Sequence, residues 1–348
     1  MLRSLEIRNY RNLRHLTIEK LGRVNLLVGK NNTGKTSVLE AVYLWANRGR
    51  YELVYNILRL RGGLFDSSDD RYQYNKNSLS SLFLDQKIKP TDEGDIIIND
   101  SDGTELRMGF EIMNVSDPEA PELLFFKIEH TDFKRPVNVL IHQPINPADP
   151  SFPPFEWPKN IRNQFVNANG FSSVENGELY DNVVTTDAED YIIKALKIVN
   201  QDVTRIAFRT DSLTKKRYAV VRLNDNYPQP LQSMGDGINR ILTIILAMVN
   251  CENGYLFIDE FENGLHYSVQ EKLWEVIFYL AERLNIQVFA TTHSNDAIRS
   301  FTSVLAKQEK PDEAGKAIRL QLHNGDVRAI DYSPEELETA VEYNIEVR

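Results

Sequence analysis

Short apolar runs, each followed at once by glycines, carboxylates or hydroxyls, organise this chain. Leu2, Leu5 and Ile7 are set among polar residues in LRSLEIRNY, and this spacing predicts a half-buried strand. LTIEKL and VNLLV predict two more. TSVLEAVYLWAN then changes period: Val38, Leu39, Val42 and Trp45 fall on one face of a helix. Residues 62–92 are polar and read as loop and short helix. DIIINDSDGTELRMGFEI predicts a hairpin turning at Asp102-Gly103, and LLFFKIEH and PVNVLIHQP two further strands.

Between Pro144 and Pro158 six prolines interrupt the pattern, so this stretch is a connector between lobes or a functional loop. A helix restarts in TTDAEDYIIKALKIV, with Thr186 and Glu189 spaced as a capping box. TRIAFRT and RYAVVRL predict a second hairpin. Near the end, Ser333, Pro334 and Glu336 open a helix with Leu337, Val341 and Ile345 as its apolar stripe. That stripe packs on its own domain or docks a partner. No internal repeat or long heptad region interrupts this order.

Composition adds limits. A length of 348 residues and 42% hydrophobic content allow two domains or one large one. A single cysteine, Cys251, excludes an internal disulfide and a four-cysteine zinc site. No signal-like segment is present, and ILTIILAMV is too short to span a membrane, so a cytoplasmic protein is expected. The net charge of −10 argues against a general nucleic-acid coat. Residues 1–61 nevertheless carry twelve Lys/Arg against four Asp/Glu, including Arg48, Arg50, Arg59 and Arg61. These residues either meet a local anion or are simply solvated.

The chemistry begins at GKNNTGKT. Gly29, Gly34, Lys35 and Thr36 match G-x-x-x-x-G-K-[ST], between a strand and a helix as the pattern requires. Glycines let backbone N–H groups close round a phosphate at a helix N-terminus. Lys35 is expected to reach the β- and γ-phosphates, and the Thr36 hydroxyl to ligate Mg²⁺. A partner motif follows in GYLFIDEFENGLH: four apolar residues, then Asp259 and Glu260. Asp259, at the carboxyl end of a buried strand, would complete the Mg²⁺ shell, and Glu260 would orient the attacking water. A third run, IQVFATTHSNDAI, ends at His293 and should lie beside the Asp259 strand, where its ring can meet the γ-phosphate or the water. Ser233, Gly235 and Gly237 open the long apolar helix of PLQSMGDGINRILTIILAMV. They form either a cap with a glycine turn or a second anion site, which makes sense if it serves the nucleotide of another subunit.

Taken in order, these motifs resemble the ABC-type ATPase heads of the RecF, SMC and OLD group. LEIRNYRNLRHLTI, VNLLVGKNNTGKTSVLEAVY, SMGDG, LFIDEFENGLH and TTHS carry the likeness, over about 1–46 and 170–300. The resemblance implies an α/β P-loop NTPase head with a mixed β-sheet core, an antiparallel β lobe and a helical lobe. The core would be built from 1–46 and 170–310, with 47–169 an inserted β/loop lobe and 311–348 a C-terminal strand and helix. It also implies that Lys30, Asn31, Asn32, Thr33 and Ser37 bind ATP with the other loop residues. Asn263 and Gly264 would form the D-loop. Ser233 and Gly235 would complete the site across a head-to-head dimer closing over two ATP molecules. Gln232 and Asp236 depart from the usual LSGGQ signature, and the Q-loop glutamine is Gln143 or lies near Phe171-Ser172-Ser173.

The spacing from Thr36 to Ser233 is too short for a coiled-coil arm, and the 55 residues after His293 too few for a Toprim domain. The resemblance therefore implies a stand-alone ATPase governing a separate effector, of Toprim or other nuclease type, in prokaryotic anti-phage defence. Alternatives are a RecF-like repair ATPase that binds DNA and a scaffold with structural ATP. A ring-forming AAA+ protein fits poorly.

Overall fold

The computed structural model describes residues 1–61, 71–113, 123–141, 157, 161–213, 216–224, 226–235, 237–343 and 345–347. Its centre is a six-stranded sheet. Asn163–Val166, Tyr255–Ile258, Gln287–Thr291, Val24–Val28 and Gly315–His323 run parallel in that order, and Asp326–Tyr332 closes the far edge antiparallel. The four-residue run YLFI and the five-residue runs VNLLV and QVFAT are buried at every position. Unbroken apolar runs suit strands covered on both faces.

Two cores result. Leu26, Val28, Leu256, Ile258, Val288 and Ala290 face a helical layer. That layer includes Ile238–Val249, Tyr267–Arg283 and Asn295–Ala306. Leu27, Phe257, Phe289, Ile318 and Leu320 face the opposite way, into a second cluster with the helix Lys35–Ala46. An antiparallel sheet closes that side, ordered Leu13–Ile18, Leu5–Tyr10, Ile96–Asn99, Glu105–Met113, Leu123–His130 and Val137–Leu140. The strand LLFFKIEH alternates half-buried and buried residues along its length. Among the helices, Val203–Thr210, Arg217–Leu223 and Gln229–Pro230 form a small third sheet. The result is an α/β fold with a mixed core sheet, an antiparallel lobe and a helical lobe.

Several strands cross the boundaries drawn from sequence. Leu5–Tyr10 pairs with Ile96–Asn99, so the first strands join the antiparallel sheet. Asn163–Val166 pairs with Tyr255–Ile258 and forms an edge of the core sheet. The second strand begins at Leu13, earlier than LTIEKL suggested, because Asn9 and Arg11 take positive φ and turn the chain tightly, with Tyr10 paired to Leu13. Tyr51–Leu60 and Arg71–Ser80 are helices. The capping box expected at Thr186 and Glu189 does not form. The helix Ala188–Val199 has Asp187 at its N-cap, and the Glu189 carboxylate instead accepts the Tyr180 hydroxyl at 3.2 Å. Complete boxes occur at Ser172 with Glu175 and at Ser333 with Glu336. In the C-terminal helix Pro334–Glu342, Leu337 is buried in the helical-side core, whereas Ile345 beyond it is exposed. The proline-rich connector, apart from Trp157, and Gln143 lie outside the described residues. Among those described, no helix is long and apolar enough to cross a membrane.

Candidate functional site

The register of the core sheet places three strand ends side by side. Leu27 pairs with Thr291, and Ile258 pairs with Ala290. The chain segments leaving Val28, Ile258 and Thr291 therefore emerge together at the carboxyl edge, where open α/β sheets bind ligands.

The first segment is the glycine loop. Gly29 has φ +148°, and a Cβ there would sit 2.5 Å from the Leu320 carbonyl oxygen and 2.7 Å from Thr33 Oγ1. Gly34, at φ +92°, is the N-cap of Lys35–Ala46 with no side-chain cap. A side chain at either position would clash or strain the loop, so both are glycine for backbone reasons. Lys35 Nζ donates to the Gly29 and Lys30 carbonyls at 2.7 and 2.9 Å, which arches its side chain back over the loop. Burial lowers its pKa, while Glu262, Asp259 and Glu260 act in the opposite direction.

The second segment begins at Asp259. Its carboxylate accepts the Thr36 hydroxyl at 3.1 Å and the Thr291 hydroxyl at 2.6 Å. Thr291 Oγ1 in turn accepts the Glu260 backbone N–H at 2.9 Å. Glu260 takes φ +50°, a left-handed conformation uncommon for a glutamate. Such strain persists when neighbouring contacts hold it, and here two of them do. One is the Thr291 hydroxyl; the other is Arg240, whose Nη2 donates to the Asp259 and Glu260 carbonyls at 3.0 and 3.2 Å. Arg240 also donates to the Asn167 carbonyl at 2.6 Å, and burial lowers its pKa. It lies on the helix that SMGDG precedes, and nothing in the sequence around it marked it for this place.

The third segment carries His293. Together the three wall a cavity of about 330 Å³ that includes Asn31, Asn32, Lys35, Thr36, Asp259 and His293. Gly34, Ser37, Glu260, Thr291, Asn12 and Arg61 complete it. Arg61 adds a cation at this rim, with its Nε 2.8 Å from Glu40 Oε1. The sequence offered only a general basic count for it. Thr33 and Lys30 belong to the loop but do not line the cavity; the Thr33 hydroxyl donates to the Lys30 carbonyl at 2.9 Å. A larger hollow, about 960 Å³, opens near the start of the strand Asn163–Val166 and contains none of these residues. Size alone is a poor guide beside convergent polar groups.

Ser233 and Gly235 are not brought to this cavity. Ser233 is exposed on a short 3₁₀ turn, its hydroxyl donating to the Pro230 carbonyl at 2.7 Å. Gly235, at φ +112°, has open space where a side chain would stand, among the described residues. Gly237 begins the helix Ile238–Val249. A Cβ on it would meet the Gly264 carbonyl at 3.4 Å, so the D-loop stretch rests against this helix start. Asn263 donates to the Ala168 carbonyl at 2.9 Å. Of the Q-loop alternatives, Ser172 serves as the N-cap of the helix Ser173–Asp181.

The chemistry of the donor set fits a nucleoside triphosphate with a divalent cation: a loop closed to side chains at Gly29, a lysine folded over it, and a hydroxyl already bonded to a carboxylate. Fold and site together define a P-loop ATPase head of the ABC type. Residues 24–299 match the family described as "AAA domain, putative AbiEii toxin, Type IV TA system", and the chain belongs to that family. An ATP/GTP phosphatase of Helicobacter pylori is 22% identical over 342 residues, covering 89% of this chain and 90% of that protein. The DNA replication and repair protein RecF of Clostridioides difficile is 36% identical over 96 residues, but this covers only 25% of this chain and 24% of RecF. An SMC head domain from Thermotoga maritima superposes with a TM-score of 0.47 at 11% identity, over 95% of this chain and 99% of that domain.

Proposed function

We propose that the chain is an ATP-hydrolysing switch that closes as a head-to-head homodimer over ATP and Mg²⁺ and controls a separate effector protein. The observation that carries this reading is the division of the motifs. The glycine loop, Asp259, Glu260 and His293 share one cavity, while Ser233 and Gly235 stand outside it, Ser233 exposed and Gly235 with open space about it among the described residues. A second copy, rotated to face the first, would bring its own Ser233 and Gly235 to this cavity.

In this mechanism the backbone N–H groups of Asn31 to Thr36 and the Lys35 ammonium bind the phosphates. Thr36 and Asp259 would hold Mg²⁺, which when bound neutralises charge on the β- and γ-phosphate oxygens. Glu260, which lines the same cavity on a left-handed backbone, accepts a proton from the attacking water. His293 hydrogen-bonds the γ-phosphate or that water. Glycine backbone and a lysine recognise phosphates rather than a base. The name of the Helicobacter pylori relative, which includes both ATP and GTP, supports testing both nucleotides here.

The effector is proposed to be a nuclease of Toprim or other type, acting in prokaryotic anti-phage defence in the cytoplasm. The family description, which includes a toxin–antitoxin system, supports a defence role. Native mass spectrometry of Glu260→Gln protein from its own host, with and without ATP and Mg²⁺, tests the whole proposal. A dimer that appears with ATP and an extra co-purifying chain are expected. A bare monomer in both states overturns the dimer and reduces SMGDG to a helix cap.

A further inference from the structure

Resting on the reading of His293 as a contact to the γ-phosphate or the water, we propose that Glu262 is a positioning residue for hydrolysis. It holds the segment Thr292–Ser294 and turns one edge of the His293 ring toward the phosphate cavity.

Glu262 lies two residues past Glu260, in a stretch whose motif gives it no task. Its side chain is only 14% exposed, and among the described residues it has no Lys or Arg within ion-pair distance. Among the described residues, its side-chain hydrogen bonds go to the neighbouring strand's exit. Oε2 accepts the Thr292 hydroxyl at 2.7 Å. Oε1 accepts the His293 backbone N–H at 3.1 Å and lies 3.5 Å from His293 Nδ1. Thr292 passes the constraint on: its Oγ1 accepts the Ser294 N–H at 3.0 Å, and Ser294 caps the helix Asn295–Ala306. The Thr292 N–H also donates to the Leu27 carbonyl at 3.1 Å, on the strand that feeds the glycine loop.

A half-buried carboxylate needs compensation, and here the Thr292 hydroxyl and the His293 amide supply it. The same geometry selects a ring state. With Nδ1 beside the carboxylate, a proton on Nδ1 is favoured, and Nε2 is the nitrogen left for the cavity that His293 lines. Loss of this carboxylate removes one of the contacts that set the ring's orientation and the path of Thr292–Ser294.

A double-mutant cycle of Glu262→Gln and His293→Ala, read by turnover, ATP affinity and thermal midpoint, tests this. Glutamine keeps an acceptor for the segment but removes the charge beside Nδ1. The expected result is a kcat lowered roughly 10- to 100-fold in Glu262→Gln, by analogy with the loss seen when a carboxylate that orients a metal-bound histidine is removed. ATP affinity stays unchanged, and no further loss occurs in the His293→Ala background. An equal fractional loss in both backgrounds, or a parental kcat in Glu262→Gln, overturns the proposal. Parental turnover in His293→Ala alone overturns the underlying reading of the histidine, and the proposal with it. If glutamine prevents folding, Glu262→Asp carries the same cycle with charge and acceptors kept one methylene short.

Discussion

The Thr36 hydroxyl donates to the Asp259 carboxylate at 3.1 Å although 223 positions separate the two in sequence. Replacing the carboxylate by an amide leaves an acceptor for Thr36 but removes the charge that a divalent cation requires. Asp259→Asn is therefore expected to need much higher Mg²⁺ for half-maximal ATP turnover, with the fold unchanged. Titration of phosphate release against Mg²⁺ checks this; an unaltered midpoint would remove Asp259 from the cation site.

Lys35 and Glu260 line one cavity but are expected to fail in different ways. Lys35→Ala removes a charged donor to the phosphates, worth about 1.5–3 kcal/mol, so ATP affinity should fall roughly ten- to a hundredfold. Glu260→Gln should bind ATP like the parent and turn over roughly 10²- to 10⁴-fold more slowly, since only the proton acceptor is lost. Equilibrium binding of a fluorescent ATP analogue beside single-turnover hydrolysis separates the two. Normal turnover in Glu260→Gln would show that the base is another group.

A shared site makes a prediction about mixtures. Ser233→Arg obstructs the face offered to a partner, and Lys35→Ala damages a chain's own loop. Each variant alone should be close to inactive. Mixed, they form heterodimers with one intact site, built from the loop of the first variant and the Ser233 of the second. Regain of turnover on mixing is expected. No regain at any ratio would mean that Ser233 never meets a partner's nucleotide.

His130 sets a pH dependence of stability. Its side chain is buried, its Nδ1 accepts the Asp132 N–H at 3.0 Å, and burial lowers its pKa from 6.5 to about 4. The unfolded chain therefore binds a proton between those values that the folded chain refuses. The stabilising contribution is complete above pH 6.5 and is lost as pH falls toward 4. Between about pH 6.5 and 5 the loss is up to about 2 kcal/mol. Asp95, raised to about 6 by burial, works with the opposite sign, because its ionisation as pH rises destabilises the fold. Comparing parent with His130→Asn isolates the histidine: the denaturation midpoint at pH 5, taken relative to that at pH 6.5, should be higher in the variant than in the parent, because only the opposing effect of Asp95 is left.

The motifs were legible because their chemistry is contiguous. GKNNTGKT needs its glycines and lysine within one loop, and YLFIDE and VFATTH record in one run both a strand buried on two faces and the polar residues at its end. Helix Ala188–Val199 was legible from its apolar spacing, but its cap was not, because Tyr180 competes for Glu189 from another helix.

The sequence by itself determined the class of protein, the phosphate loop, the Asp259–Glu260 pair and the strand that delivers His293. These depend on spacing within a few residues, and spacing survives in a linear string. Only the tertiary structure decided that Asn163–Val166 borders the core sheet, that Arg240 grips the carbonyls of Asp259 and Glu260, and that Glu262 reaches Thr292 and His293. Each of those depends on side chains meeting across strand register and helix packing. A lone arginine or glutamate carries no mark of its partner until burial makes an unpaired charge costly.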